Sequence, residues 1–273
     1  RFNNELDENL EKFATNFFFS IGTVSAVLSI PTFYLLARNS AFLSSEIRIL
    51  LLILQVSAFL NNFHFCILFI PFIYPFLGGG FCTGVLCMLG VRFHYGMCFW
   101  LFTVIILCAS FIVLLFARLQ TILHPSSRLK LEFSKRIAFY VYTFSSMLII
   151  PILFIFTDTP IEVQEWIIEV VNGLDWIADK KIYSVINGYA RRVQMDILIY
   201  SILGSIIVFG SITAILFALT LYFILTSNTN RMSNHASSVH RAKIKNSIVV
   251  LSQMIVTLCM GILPLCFDVA TIG

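Results

Sequence analysis

Long uncharged apolar stretches alternate with short polar segments along the chain. A clear example runs from Phe93 to Ala117, contains no Asp, Glu, Lys or Arg, and is bounded by Arg92 and Arg118. As an α-helix this stretch would be roughly 38 Å long, and the hydrocarbon core of a bilayer requires only about 30 Å. A helix also satisfies its backbone hydrogen bonds within the span, as lipid demands. The pattern therefore predicts a central membrane-spanning helix.

The same pattern predicts an all-α, polytopic transmembrane helix bundle in one domain, residues 1–273. The predicted spans are residues 13–37, 49–73, 93–117, 137–156, 197–225 and 246–270. Between the second and third spans, Pro71, Pro75 and glycines 78–80 interrupt an uncharged stretch, which predicts an apolar loop there. Within the second span, Asn61, Asn62 and His64 are expected to face other helices rather than lipid.

The longest polar segment, residues 157–196, is predicted to contain a helix outside the bilayer. Thr159, Pro160 and Glu162 have the spacing of an N-cap, a proline at the first helical position and a capping-box glutamate. The apolar residues that fall on one face are Val163, Trp166, Ile167 and Val170. We expect this apolar stripe to rest on the ends of the spans.

Composition supports a membrane protein. Hydrophobic residues make up 59% of the chain and charged residues 12%, against about 45–50% and 25% in soluble proteins. The net charge of +4 does not indicate nucleic-acid binding, because the basic residues are gathered in a few loops. Motifs for metal, phosphate-loop or hydrolase chemistry are absent from the sequence, so we predict no enzyme activity, metal or cofactor. Cys82 and Cys87, in the predicted loop, are candidates for a disulfide.

Charge distribution predicts the orientation of the bundle. The loops after the first, third and fifth spans are basic, whereas the N-terminus and the loop 157–196 are acidic. Because basic loops stay in the cytoplasm, the N-terminus is expected outside the cell. Six visible spans and an outer N-terminus suggest a seven-helix receptor type whose seventh span is missing from this sequence.

Four short motifs carry a family resemblance: residues 116–122 (FARLQTI), 30–34 (IPTFY), 71–78 (PFIYPFLG) and 160–165 (PIEVQE). With them, the chain resembles the nematode serpentine chemoreceptors of the Srh and Sri branch of the Str superfamily. It lacks the Asp-Arg-Tyr and Cys-Trp-x-Pro signatures of rhodopsin-like receptors, and the long outer loop has no cysteine. The resemblance implies a G-protein-coupled receptor of the ciliary sensory membrane that detects a small environmental molecule.

The resemblance also suggests which residues contact a heterotrimeric G protein. Arg118 occupies the position of the arginine that ends the third span in that family. The residues expected around it are Gln120, Lys130, Lys135, Arg136, Arg241 and Lys243. The alternative is that these residues only fix topology, as basic side chains near anionic lipid do.

A ligand site is predicted near the outer boundary. Arg92 and Asp268 both fall there by helix rise, and we hypothesise that they form an ion pair, the alternative being that each is solvated separately. Tyr95 and Phe99 share a helical face with Arg92, and His64 is close to the same level. Aromatic residues with a few polar groups suit a small-molecule site, although ordinary packing would account for any one of them.

Two other functions remain open from the sequence. One is a polytopic transporter or channel subunit, which the lack of ionisable residues between Ile49 and Val91 disfavours. The other is a receptor fragment that does not signal, which the expected absence of a seventh span would favour.

Overall fold

The computed structural model describes residues 8–38, 44–74, 79–123, 127–170, 183–184 and 192–229. Within these ranges, five helices are long and apolar enough to cross a membrane. The polytopic transmembrane helix bundle predicted from the sequence is therefore confirmed. The sixth predicted span, residues 246–270, lies outside the described residues.

The described helices follow the predicted spans closely. Their bounds are α1 Glu8–Ala37, α2 Ser45–Phe63, α3 Val85–Met88, α4 Phe93–Ile122, α5 Phe133–Met147, α6 Ile149–Ile155, α7 Ile161–Val170 and α8 Arg192–Thr229. A π-helical turn, His64–Phe69, continues α2 and completes the second span. Helices α5 and α6 together form the fourth span.

Helix α4 is the centre of the bundle, because α2, α5, α6 and α8 all pack against it. In its most apolar window 61% of the residues are buried, against 11% in α1 and in α8. The exposed apolar side chains of those two outer helices suit contact with lipid tails, which are as apolar as the side chains themselves. The burial pattern thus matches the central role that the sequence predicts for this span.

The connection between α2 and α4 forms a short sheet rather than an irregular loop. Strand β1 (Pro71–Tyr74) pairs antiparallel with β2 (Gly79–Cys82), and β3 (Tyr183–Ser184) pairs antiparallel with the other edge of β2. The second span therefore ends at Phe69, before the predicted residue 73, because Pro71 lacks an N–H and disfavours helix before it. We call this end of the bundle the hairpin end.

At the opposite end, which we call the basic end, the helices extend further than predicted. Helix α4 continues past Ala117 to Ile122, and α5 begins at Phe133 rather than at residue 137. Arg, Leu, Gln and Lys are good helix formers, so these helices continue where the uncharged stretch stops. Arg118, Gln120, Lys135 and Arg136 therefore belong to helices instead of loops.

Helix α7 forms where predicted, but its buried face differs from the predicted one. Trp166 and Val170 are each 56% exposed, and the buried residues of the helix are Gln164, Ile167 and Ile168. The Gln164 amide Nε2 donates to the Thr159 carbonyl at 2.7 Å, which brings a polar side chain inside. The Thr159 hydroxyl has no hydrogen-bond partner, so the capping-box prediction is wrong.

Candidate functional site

At the basic end, one carboxylate joins α2 to α5. Arg136 Nη1 donates to Glu46 Oε1 at 3.0 Å and to Oε2 at 2.8 Å, and the Tyr140 hydroxyl donates to Oε1 at 2.8 Å. The Arg136 and Glu46 side chains are only 18% and 25% exposed. We call this cluster the Glu46 latch. Charge-assisted hydrogen bonds in a partly buried place are stronger than exposed ion pairs.

The last turn of α4 holds the loop that follows it. Gln120 Nε2 donates to the Leu129 carbonyl at 3.1 Å, and its Oε1 accepts from the Leu131 amide at 2.9 Å. The Lys130 ammonium donates to the Gln120 carbonyl. Because Gln120 is 2% exposed, it acts as a buried clamp between helix and loop.

Arg118, which the sequence predicts to contact a partner at the surface, is buried. It is 5% exposed, and its Nε and Nη2 atoms have no hydrogen-bond partner. A buried polar group without partners costs free energy. The guanidinium is therefore covered in this conformation rather than presented at the surface.

The predicted G-protein contacts thus fall into different environments. Arg118 and Gln120 are buried, while Lys130 and Arg136 make internal hydrogen bonds. Lys135 is exposed, with 64% of its side chain accessible and Glu132 at 3.5 Å. Arg241 and Lys243 lie outside the described residues.

At the hairpin end, Arg92 ties the start of α4 to the segment between α6 and α7. Its Nη1 donates to Asp158 Oδ2 at 3.2 Å, and its Nη2 donates to the Thr159 carbonyl at 3.5 Å. The guanidinium also lies 5.8 Å from the centre of the Tyr95 ring. Asp268, its hypothesised partner, lies outside the described residues. Asp158 was detectable as the acid that directly follows the fourth span, at the same end as Arg92.

His64 lies inside the hairpin half of the bundle, against α4. Its Nε2 is 2.9 Å from the Gly96 carbonyl oxygen. Its ring lies 4.6 Å from that of Phe99 and 5.4 Å from that of Phe69, centre to centre. A Cβ atom on Gly96 would come within 2.1 Å of the Phe69 ring, so only glycine allows this approach. The structure brings two predicted site residues, His64 and Phe99, into direct contact.

Below this level, polar side chains connect three helices. Asn62 Nδ2 donates to Ser25 Oγ on α1 at 3.1 Å, and Thr103 Oγ1 on α4 donates to Asn61 Oδ1 at 3.4 Å. Asn61 and Asn62 are themselves 3.5 Å apart through their amides. As expected, the polar residues of the second span face other helices.

The segment around α3 is anchored on the hairpin end. Cys82 and Cys87 form a disulfide, as the sequence allowed. The Thr83 and Gly84 amides donate to the carbonyls of Ile70 and Phe69 at 3.2 and 3.1 Å. The Thr83 hydroxyl lies 3.2 Å from that of Thr15, on α1. The disulfide and these hydrogen bonds thus attach the segment around α3 to the end of the second span and to α1.

Helix α4 differs between its two halves. Residues 109–120 are all buried. Towards the hairpin end, Tyr95, Phe99 and Phe102 are 52%, 47% and 42% exposed. Because these three recur at helical spacing, they form one open stripe, which we call the aromatic stripe.

Comparison with known families identifies the family of this chain. The family model described as "Serpentine type 7TM GPCR chemoreceptor Srh" matches residues 9–272. The chain belongs to the Srh family. No significant match was found among curated proteins or among solved structures.

Membership of the Srh family confirms the resemblance carried by the four short motifs, and it identifies a multi-pass membrane protein with a chemoreceptor role. The family is one of receptors rather than of enzymes. Its match extends across the second and third spans, so it includes the His64 environment, the aromatic stripe and the Glu46 latch. These three features therefore lie within the residues that match a family of chemoreceptors.

Proposed function

We propose that this Srh receptor binds a small environmental molecule in the hairpin half of the bundle and signals to a heterotrimeric G protein at the basic end. The hairpin end and the N-terminus then lie outside the cell, in the plasma membrane of a sensory cilium. The basic end faces the cytoplasm. The loop charges support this orientation, because the basic segments follow the first, third and fifth spans.

The observation that carries the proposal is the difference between the two halves of α4. Its basic half is buried on all sides, while its hairpin half exposes the aromatic stripe beside the Arg92 guanidinium. An aromatic surface with few polar groups is what small-molecule sites typically offer. Ligand-binding residues in this proposal are Arg92, Tyr95, Phe99, His64 and Asp268.

Signalling requires that a change at the ligand site alters the basic end. Helix α4 connects them directly, since it carries Phe99 in one half and Arg118 in the other. In this conformation Arg118 is buried, so we propose that ligand binding favours a second conformation in which it becomes accessible. The exposed Lys135 and the other proposed contacts, Gln120, Lys130, Arg136, Arg241 and Lys243, complete the G-protein surface.

Orientation can be tested with an impermeant thiol reagent on intact cells. Met88, at the hairpin end, is 82% exposed, and the Lys135 side chain, at the basic end, is 64% exposed. We expect Met88→Cys to be labelled and Lys135→Cys to be labelled only after permeabilisation, with the unsubstituted chain as background. Labelling of Lys135→Cys in intact cells would reverse the proposed orientation.

Reception can be tested by exposing cells that express the receptor and a G-protein reporter to a panel of small volatile and water-soluble molecules. We expect concentration-dependent activation by a subset of them. Phe99→Ala should shift that response to higher concentrations at equal surface level, whereas Ile206→Ala, in the exposed part of α8, should not. Activation that Arg92→Ala, Tyr95→Ala and Phe99→Ala all leave unchanged would remove the proposed site.

A further inference from the structure

In the His64 imidazole, the hydrogen bond made by Nε2 determines which nitrogen carries the proton. Its Nε2 lies 2.9 Å from the Gly96 carbonyl oxygen, and a carbonyl oxygen only accepts hydrogen bonds. Nε2 must therefore carry a proton and donate it. In a neutral imidazole, Nδ1 is then a bare acceptor.

That second nitrogen, Nδ1, is buried and has no hydrogen-bond partner. The whole side chain is 2% exposed. None of the ion pairs in the described part of the chain includes His64, so no carboxylate there compensates a positive charge on the ring. Because an isolated buried charge is strongly disfavoured, the ring is neutral and presents an unsatisfied acceptor.

The local structure around this acceptor is unusual. His64 begins the π-helical turn His64–Phe69, and such turns occur frequently at functional sites. The turn ends at Ile70, whose φ of 40° is a conformation that β-branched residues rarely adopt. Gly96 lets the Phe69 ring approach α4 closely. Three uncommon features thus converge on one imidazole.

Of the aromatic rings beside the imidazole, that of Phe99 is partly exposed. Two aromatic rings flank His64, and Phe69 is 1% exposed while Phe99 is 47% exposed. Phe99 belongs to the aromatic stripe, so its ring is the exposed one of the two that cover His64, and a change of its side-chain rotamer is the shortest way to uncover the imidazole. Rotamer changes of partly exposed side chains are fast.

We propose that His64 Nδ1 is the polar anchor of the ligand site, and that the ligand is a neutral, largely apolar molecule with one O–H or N–H donor. This inference rests on the proposed function, since it names the chemistry of the same site. The aromatic neighbours select an apolar body, and the bare acceptor selects a donor. Alcohols, phenols and N–H heterocycles satisfy both conditions, whereas ethers and hydrocarbons lack the donor.

The direct test is nitrogen NMR of the full-length receptor labelled with 15N-histidine, with benzyl alcohol and benzyl methyl ether as matched probes. His64→Phe assigns the His64 signals by their disappearance. We expect the Nδ1 signal of the ligand-free receptor to be that of an unprotonated nitrogen without a hydrogen bond. Benzyl alcohol should shift it and the ether should not. An Nδ1 that is protonated without ligand, or that does not respond to the alcohol, overturns the proposal.

A cell response provides an independent measurement. The wild-type receptor should respond to benzyl alcohol at a concentration at least about tenfold lower than to the ether, since one hydrogen bond is lost. His64→Phe should abolish this preference. His94→Phe, a change to another buried histidine whose ring stacks on Phe154, should retain it. A preference that survives His64→Phe contradicts the proposal.

The two measurements separate this inference from the proposed function. An Nδ1 shift without any cell response supports the anchor and contradicts signalling through the site. Equal cell responses to both probes without an Nδ1 shift contradict the anchor and support reception. If His64→Phe does not reach the membrane, Phe99→Trp replaces it: the larger ring should weaken the alcohol-induced Nδ1 shift at a given concentration, and an unchanged shift would contradict access past Phe99.

Discussion

At the scale of single residues, the close approach of α4 to the π-helical turn depends on a missing side chain. Gly96 lets α4 meet the π-helical turn, with the Phe69 ring where a Cβ atom would be, 2.1 Å away. Phe69 is 1% exposed and packs on Phe93, with 5.2 Å between ring centres, so it has little room to move. The His64–Gly96 hydrogen bond depends on the same approach. One glycine therefore supports both the packing and the proposed anchor.

We predict that Gly96→Ala destabilises the receptor by about 1–3 kcal/mol, because an extra methyl in a filled space forces side chains or backbone to shift. Gly210→Ala on α8 is the matched control. A Cβ atom there meets nothing within 4 Å, so alanine should be neutral or stabilise the helix by up to about 1 kcal/mol. The measurement is the thermal unfolding midpoint of each full-length variant in the same detergent. Equal midpoints for the two variants would mean that the approach at Gly96 is loose.

At the scale of elements, the Glu46 latch connects two helices that begin at the basic end. Glu46 is in the first turn of α2 and Arg136 in the first turn of α5. Between them and α4, the Phe116 ring lies 4.3 Å from Phe139 and 6.2 Å from Tyr140, centre to centre. The latch therefore closes over an aromatic contact with the central helix, so its hydrogen bonds and this packing should act together.

We predict that Glu46→Ala lowers stability by about 1–3 kcal/mol, since it leaves the half-buried Arg136 and the Tyr140 hydroxyl without their acceptor. Tyr140→Phe should cost about 1 kcal/mol, the net contribution of one hydrogen bond. Glu132→Ala removes only the exposed pair with Lys135 and should change stability by less than about 1 kcal/mol. Thermal midpoints of the three variants give the order. A Glu132→Ala effect as large as that of Glu46→Ala would contradict the distinction between latch and surface pair.

The bounds and contacts of the elements show which features could be predicted from the sequence alone. Lipid requires long uncharged helices, so the spans were predictable from where charges stop. The ends of the spans were less predictable, because residues 118–122 remain helical and Pro71 begins a strand. The pairing of Glu46 with Arg136 could not be found from spacing, because it depends on how α2 and α5 are rotated about their axes. Asp158 could be found only as the acid that directly follows the fourth span, not as the partner of Arg92. The contact between the His64 and Phe99 rings could not be predicted, because the sequence places these residues only at a similar level in the membrane.

At the scale of the whole molecule, α4 joins a half that exposes the aromatic stripe to a half that is buried by its neighbours. Two buried polar residues in that half, two positions apart in the chain, differ in whether their side chains have hydrogen-bond partners. Gln120 makes hydrogen bonds that hold residues 129–131, while Arg118 is covered with two guanidinium nitrogens unpartnered. A conformation that supplied hydrogen-bond partners for the Arg118 guanidinium would remove this cost. The burial of Arg118 therefore disfavours the described conformation, whereas the hydrogen bonds of Gln120 favour it.

This difference leads to a prediction with opposite signs at neighbouring positions. Arg118→Met should raise the free energy of unfolding by roughly 1–3 kcal/mol, because an apolar side chain of similar length replaces an unsatisfied buried charge. The thermal midpoint should therefore rise. Gln120→Met should lower it by a similar amount, since the Leu129 carbonyl and Leu131 amide lose their partner. If Arg118 contacts the G protein in the active conformation, Arg118→Met should also lose G-protein activation at normal surface level. A more stable Arg118→Met receptor that signals normally would leave Arg118 without the proposed contact, and a less stable one would mean that its guanidinium is satisfied in the resting bundle after all.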